Sequence, residues 1–214
     1  MSQIFKIHAE NPQVHLIRQA AVVLAKGGLI VYPTDSAYAL GCQITNKEGI
    51  QRLRRLRELD DSHALTLLCR DLAEVAIYAH IENAVFRLLK ANTPGPYTFL
   101  LPATKEVPRH IMDTGRKTVG VRIPDNKIVH ALLEMLDHAL VSSTLMLPRS
   151  DLPLLEPEAM RDMLGKRVDL IIDGGPCGLE PSTVIELVDS IPKIIRQGKG
   201  DVAPFQSMEA SAPS

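Results

Sequence analysis

The segment from Gly27 to Cys42 constrains the fold of this 214-residue chain more than any other part of the sequence. Its apolar run at residues 29–32 is short and rich in branched side chains, as is typical of a buried strand. Pro33 has no backbone N–H, so the strand is predicted to end there. Small and hydroxylated side chains follow at Thr34, Ser36, Ala37 and Gly41. This order favours a strand that ends at the rim of a ligand cavity, while an ordinary exit from a strand into a loop stays open as the alternative.

The composition is that of a globular protein with an aliphatic core. Hydrophobic residues make up 45% of the chain and aromatic residues only 4%, with no Trp. The three cysteines are an odd number and lie far apart, which fits a reducing cytoplasm better than a disulfide framework. The first residues carry no apolar signal segment, and no window approaches the 18 apolar residues of a membrane span. We therefore expect a cytoplasmic protein.

Charge is distributed unevenly along the chain, although the net charge is only −1. Residues 1–122 contain 16 Lys and Arg against 11 Asp and Glu, and residues 123–214 contain 8 against 14. The first part therefore carries a net +5 and the second part a net −6. An anionic ligand is expected to bind the first part.

Hydrophobic periodicity predicts an α/β or α+β fold with a mixed β-sheet flanked by helices. Asn11 and Pro12 are expected to open the first helix, and Thr45 or Asn46 to cap the second. Further helices are predicted at 71–78, 82–91, 126–136 and 156–164. Strands are predicted at 29–32, 64–69, 97–102, 118–123, 139–142, 168–172, 182–187 and 193–196, the last two as a hairpin. We expect one domain over residues 1–206, with its core at about 10–200, and a disordered tail at 207–214.

Four apolar runs end in a cluster of polar residues, at 32–35, 121–124, 140–144 and 181–184. Together they suggest one cavity lined by hydroxyls and by Arg122, suited to a carboxylate or a phosphate. The alternative is that several of these hydroxyls only cap helices and turns. Phosphate-binding motifs of the GxxxxGK[ST] and GxGxxG types are absent, as are HExxH and Cys/His pairs. No built-in metal site is therefore expected, and Cys42 and Cys69 are predicted to be core residues.

Four arginines, Arg52, Arg54, Arg55 and Arg57, lie on one predicted helix. A solvated cationic face and a contact surface for an anion or for RNA both explain this pattern. No aromatic residues that could stack on bases are interspersed among them, which weakens the sequence-specific form of RNA binding.

Five ordered motifs make the chain resemble the YrdC-like family over about residues 10–200, with its YciO branch the nearest match. They are YPTDSAYALGC at 32–42, PGPYTF at 94–99, TVGVRIP at 118–124, STVIEL at 182–187 and IIRQG at 194–198. The resemblance implies a twisted α/β sheet with a concave, positively charged face. It also implies synthesis of threonylcarbamoyl-AMP from L-threonine, bicarbonate and ATP, with Mg²⁺ accompanying the nucleotide and pyrophosphate released. This product supplies the t6A modification of tRNA.

The same resemblance implies roles for particular residues of this chain. The threonine site would be formed by Thr34, Arg122 and Ser182, with Arg122 pairing the carboxylate. Residues expected to face ATP are Arg57, His63, Thr118, Ser142, Ser143, Thr144 and Arg196.

At two positions the chain departs from the synthase pattern. Synthases carry Lys-x-Arg where this chain has Arg57-Glu58-Leu59, and Ser-x-Asn where it has Thr144-Leu145-Met146. Leu59 cannot donate a hydrogen bond, and Met146 removes an amide that could orient a substrate. We therefore expect a weak or altered synthase, unless nearby basic residues such as Arg116, Lys117 or Arg149 compensate.

The alternative is a protein of the same fold that binds double-stranded RNA or tRNA and has no synthase activity. Its phosphate contacts would come from Arg52, Arg54, Arg55, Arg57, Lys105, Arg109, Arg116 and Lys117. A third possibility, transfer of a different carbamoyl or adenylyl group, fits the altered motifs equally well.

Overall fold

The computed structural model of the chain describes residues 2–60, 63–113, 115–148, 154–188 and 191–209. The strands are β1 (Gln3–Lys6), β2 (Ile30–Tyr32), β3 (Ala39–Gln43), β4 (Thr66–Leu68), β5 (Tyr97–Pro102), β6 (Thr118–Arg122), β7 (Leu140–Thr144), β8 (Leu170–Asp173), β9 (Thr183–Glu186) and β10 (Lys193–Arg196). The helices are α1 (Val14–Ala25), α2 (Lys47–Arg57), α3 (Leu72–Tyr78), α4 (Asn83–Asn92), α5 (Lys127–Glu134), α6 (Pro157–Leu164) and α7 (Ala203–Glu209).

Within these described residues the strands form one ten-stranded sheet in the order β1-β8-β2-β3-β7-β4-β6-β5-β9-β10. The sheet contains both parallel pairs, such as β4 with β6, and antiparallel pairs, such as β3 with β7. Strands β9 and β10 pair antiparallel, as predicted for the last hairpin. The prediction of a mixed sheet flanked by helices is therefore confirmed.

Successive residues of the central strands point to opposite, equally buried faces of the sheet. In β2, Val31 belongs to the larger core cluster, whereas Ile30 and Tyr32 belong to the smaller one. The smaller cluster is closed by α1 and α5, through residues such as Ile17 and Leu132. Burial on both faces explains why these strands appear as continuous apolar runs in the sequence. Cys42 and Cys69 lie fully buried in the larger cluster, as expected.

The helix ends were predicted with mixed success. Asn46 caps α2, because its side chain accepts a hydrogen bond from the backbone N–H of Gly49, as predicted. The predicted start of α1 at Asn11 and Pro12 is wrong, since the helix begins at Val14 with Gln13 as the residue before it. The cause is local, because the ring of His8 accepts hydrogen bonds from the backbone N–H groups of residues 10 and 11 and holds this segment in a turn.

Three elements were not predicted from the sequence. Strand β3 returns antiparallel to β2, so the polar segment after Pro33 is a short turn between two paired strands. Strand β1 adds to the parallel end of the sheet beside β8. The backbone of α7 continues to Glu209, so residues 207–209 of the expected tail are helical, and residues 210–214 lie outside the described residues.

Candidate functional site

A cavity of about 310 Å³ opens on the face of the sheet that carries α1 and α5. Ala39 and Leu68 mark its edge, since they belong to the core cluster under these helices and also line the cavity. The cavity therefore begins where the helical cover ends. Its walls are Ala37, Ala39, Arg57, His63, Ala64, Leu65, Thr66, Leu68, Thr98, Leu100, Arg122, Ser142, Ser143, Thr144, Met146, Pro181, Ser182, Val184 and Arg196.

The charges of this wall have one sign. Three arginines, Arg57, Arg122 and Arg196, line the cavity together with six Ser and Thr residues. Among the described residues that line it, none is Asp or Glu. Arginine guanidinium groups and hydroxyl donors are the groups that recognise carboxylates and phosphates, so the cavity is suited to an anionic ligand.

Arg122 is the last residue of β6, and its side chain is 7% exposed. Its Nη2 forms an ion pair with Oδ1 of Asp35 and donates to the hydroxyl of Ser36 over 2.9 Å. A longer contact of 3.4 Å joins the same nitrogen to the hydroxyl of Thr34. The guanidinium is thus held by the turn that follows Pro33.

Thr34 organises that turn instead of lining the cavity. Its hydroxyl oxygen accepts from the backbone N–H groups of Ser36 and Ala37, and its proton is donated to the carbonyl of Ala37 over 2.6 Å. A threonine hydroxyl bonded in this way mimics a backbone turn. Its contact with the residues that line the cavity is made through Arg122, and its expected role in binding threonine stays a prediction.

Hydrogen bonds to neighbouring side chains orient two further hydroxyls of the cavity, those of Ser142 and Ser182. The buried Tyr32 donates its phenol proton to the hydroxyl of Ser142 over 2.6 Å, which leaves the Ser142 proton available to a ligand. Gly41 makes room for this ring, since a Cβ there would lie 2.7 Å from Tyr32. Ser182 pairs with Thr98 over 2.8 Å, and its carbonyl accepts from Arg196 over 2.8 Å.

Arg57 closes another side of the cavity from the end of α2. Its guanidinium donates to the carbonyl of Met146 and, over 3.3 Å, to the hydroxyl of Ser143. Burial, and then the charge of Arg196, lower the pKa of Arg57. Burial, followed by the charge of Arg54, lowers the pKa of His63 below its ordinary value of 6.5, so this imidazole is neutral at pH 7.

The cavity brings together most of the residues predicted to bind threonine or ATP. Arg57, His63, Ser142, Ser143, Thr144 and Arg196 from the ATP set, and Arg122 and Ser182 from the threonine set, all line it. Thr118 does not line the cavity and lies buried at the start of β6, four residues from Arg122 and roughly 13 Å away along the strand, so its role toward ATP stays a prediction. The roles of the eight wall residues remain predictions.

The candidate RNA contacts do not form one surface set. Arg54 needs correction, because it is buried and donates to the backbone carbonyls of Asp60, His63 and His110. Arg52 pairs with Asp169 and Arg116 with Glu186. The remaining candidates, Arg55, Lys105, Arg109 and Lys117, are exposed. Arg149, considered as a compensating cation, lies outside the described residues.

The two departures from the synthase pattern differ in position. Met146 lines the cavity and also supplies the carbonyl that holds Arg57. Leu59 does not line it, and its partly buried side chain packs against the larger core cluster. The change at Leu59 is therefore a change of packing, and the change at Met146 alters the cavity wall itself.

Sequence reasoning missed several wall residues. Thr66 and Thr98 each stand alone in an apolar run, flanked by residues such as Leu65, Leu67, Tyr97 and Phe99. A single hydroxyl in an otherwise apolar strand is a usable signal, because alternate residues share one face of the sheet. Asp35 was part of a quoted motif but received no role, and it is the ion-pair partner of Arg122.

Within the described residues, no group of three or more His, Cys, Asp and Glu is arranged to hold a metal ion. The expectation that Mg²⁺ accompanies a bound nucleotide remains a prediction. Among the same residues, no helix combines the length and the hydrophobicity that crossing a bilayer requires.

Comparison with known proteins agrees with the resemblance. Residues 22–198 match the Sua5/YciO/YrdC family model, which carries the description "Telomere recombination". The chain is 53% identical to the protein YciO of Escherichia coli (strain K12), over 96% of this chain and 100% of YciO. It is 32% identical to a threonylcarbamoyl-AMP synthase of Halorhodospira halophila, over 79% of this chain and 88% of that protein. The chain therefore belongs to the Sua5/YciO/YrdC family.

Solved structures give the same relationship. The crystal structure of E. coli YciO superposes with a TM-score of 0.92 and covers 96% of this chain and 100% of YciO. A Pyrococcus abyssi Sua5 structure, complexed with L-threonine, superposes with a TM-score of 0.88 at 25% identity, over 97% of this chain and 61% of that one.

Proposed function

We propose that this protein binds L-threonine and ATP in the cavity and is a weak or altered threonylcarbamoyl-AMP synthase. The observation that carries the proposal is the wall itself, in which three arginines and six hydroxyl residues meet without a described carboxylate. Support also comes from the 32% identical synthase and from the Sua5 relative complexed with L-threonine.

The proposed reaction joins three substrates. The amino group of threonine takes up bicarbonate with loss of water, which forms a carbamate on the amino nitrogen. An oxygen of this carbamate then attacks the α-phosphorus of ATP. The bond between the α- and β-phosphates breaks, and pyrophosphate leaves. No wall residue has to transfer a proton to the leaving group, so the contribution of the protein is to position the reactants and to stabilise their charge.

The wall residues divide this work between two sides. Arg122 would pair the threonine carboxylate, and the Ser182 hydroxyl, which also lines the cavity, would be a further donor. Arg57 and Arg196 would face the phosphates, and the Ser142 proton oriented by Tyr32 is a further donor. Preorganised donors of this kind are the main source of rate enhancement in phosphoryl transfer.

The test is a product assay with the purified protein. Labelled L-threonine, bicarbonate, ATP and Mg²⁺ are incubated together, and threonylcarbamoyl-AMP and pyrophosphate are measured. Product that disappears in Arg122→Ala and persists in the exposed control Arg116→Ala supports the proposal. Absence of product from the unaltered protein at high concentration contradicts the synthase proposal.

RNA binding remains a separate prediction, for which the four exposed candidates are the residues to mutate. Binding through them would weaken steeply as salt is raised.

A further inference from the structure

The guanidinium proposed to bind a substrate carboxylate already holds a carboxylate of the protein. Asp35 is 10% exposed and Arg122 is 7% exposed, and the two form an ion pair. A ligand carboxylate can reach full contact with Arg122 only by replacing Asp35 or by sharing the guanidinium with it.

The pairing between these two groups is incomplete. Among the described residues, the guanidinium donates hydrogen bonds only from Nη2, to Asp35, Ser36 and Thr34. Nε of Arg122 and Oδ2 of Asp35 are both buried and have no hydrogen-bond partner among the described residues. Arginine and carboxylate groups pair most strongly through two parallel hydrogen bonds, and buried polar atoms without partners are rare in folded proteins. An incoming carboxylate that engages Nε would satisfy the first of these atoms.

The backbone around Asp35 is held from several directions. The Thr34 hydroxyl bonds within the turn, and the Cys177 thiol donates to the Thr34 carbonyl over 3.6 Å. The ammonium group of Lys199 donates to the carbonyl of Asp35. Release of Arg122 therefore requires rotation of the Asp35 side chain and leaves the turn in place.

We propose that Asp35 is a specificity-determining residue, which competes with the ligand carboxylate for Arg122. A simple carboxylate offers Arg122 no more than Asp35 does, so it binds poorly. An α-amino acid such as L-threonine brings additional polar groups for the hydroxyl wall and displaces Asp35. This proposal rests on the proposed function, because it places the threonine carboxylate on Arg122.

The test compares the unaltered protein with Asp35→Asn in calorimetric titrations with L-threonine and with acetate. The amide keeps the size of the side chain and removes its charge. We expect affinity for L-threonine to rise about tenfold and acetate binding to become measurable, as fits the loss of one charged hydrogen-bond competitor. The control Ser36→Ala removes a neutral partner of the same nitrogen and should give no increase for either ligand. Unchanged or weaker binding of both ligands by folded Asp35→Asn overturns the proposal.

A second measurement needs no variant, in case Asp35→Asn does not fold. In protein labelled with ¹³C at Asp and ¹⁵N at Arg side chains, L-threonine should shift both the Asp35 carboxyl signal and the Arg122 Nε signal. A shift at Arg122 with none at Asp35 overturns the role of Asp35 and leaves the proposed function intact. No shift at either, under conditions where threonine binds, overturns the placement of threonine on Arg122 and the role of Asp35 together.

Discussion

The two basic sides of the cavity are built differently. On one side, Arg122 emerges from the middle of the sheet and is held by the turn after Pro33, which the Thr34 hydroxyl, Cys177 and Lys199 fix in place. On the other side, Arg57 emerges from the end of a helix and is held by the backbone of the segment that contains Met146. Arg122 lies in a motif that carries the family resemblance, whereas both departures from the synthase pattern, Leu59 and Met146, lie close to Arg57. Under the proposed function, this difference predicts that recognition of the amino acid is retained and that the phosphate side has changed.

The largest expected effect concerns the Arg122 side. Arg122→Gln should weaken L-threonine binding about 30- to 140-fold, because a charge-assisted contact to a carboxylate contributes about 2–3 kcal/mol. ATP binding should change little. Calorimetric titration with each ligand measures both. The variant also leaves Asp35 buried without its partner, so thermal unfolding must be followed in parallel. Equal loss of both ligands would contradict the division into two sides.

A smaller effect is expected on the Arg57 side. Arg57→Ala should weaken ATP binding about tenfold and leave L-threonine binding unchanged, because one partly solvated cation is removed from the phosphate side. The matched control is Arg55→Ala, which removes an exposed arginine from the same helix. If both variants weaken ATP binding equally, a general loss of positive charge explains the result better than a contact by Arg57.

The two departures from the synthase pattern, Met146 and Leu59, can be tested separately. Met146→Asn places an amide on the cavity wall and should raise the rate of threonylcarbamoyl-AMP formation about fivefold, as one added hydrogen bond of about 1 kcal/mol allows. Leu59→Arg should give no such gain and should lower the thermal stability, because Leu59 packs against the core. The two rates are compared by pyrophosphate release. If Leu59→Arg raised the rate and Met146→Asn did not, the placement of Met146 on the cavity wall and of Leu59 against the core would be contradicted.

The smallest expected effect is a pH dependence confined to the ATP side. Burial lowers the pKa of His63 in the free protein, and a bound polyphosphate would raise it again by stabilising the protonated form. Binding then takes up a proton between these two pKa values, so ATP affinity should increase about threefold as the pH falls from about 8 to 6. The variant His63→Gln is the control for the titration of ATP itself. It should keep the part of the pH dependence that comes from ATP and lose the part that comes from His63. The same dependence for L-threonine would argue against His63 as its source.

Much of the fold was predictable, because burial on both faces makes the central strands continuous apolar runs. Strand β3 was missed because its sequence, ALGCQ, has neither β-branched residues nor alternation, and pairing with β2 and β7 stabilises it instead. Arg54 was expected on the surface because charged residues are usually exposed. Its burial depends on three backbone carbonyls that are brought together only by the tertiary structure.

The candidate site was predictable where a motif places a residue at the end of a strand. Arg122 and Thr144 are such residues, and both line the cavity. The pairing of Arg122 with Asp35 was not predictable, because these residues come from distant segments that only the sheet brings together. The different surroundings of Leu59 and Met146 were equally hidden, since a sequence motif does not state which side chains point into a cavity.

The most direct test is a crystal structure of this protein with L-threonine and a non-hydrolysable ATP analogue bound together. The account predicts the threonine carboxylate on Arg122, with the Asp35 side chain rotated away, and the phosphates against Arg57 and Arg196. Threonine bound by Arg57, or both ligands bound outside the cavity, would contradict it.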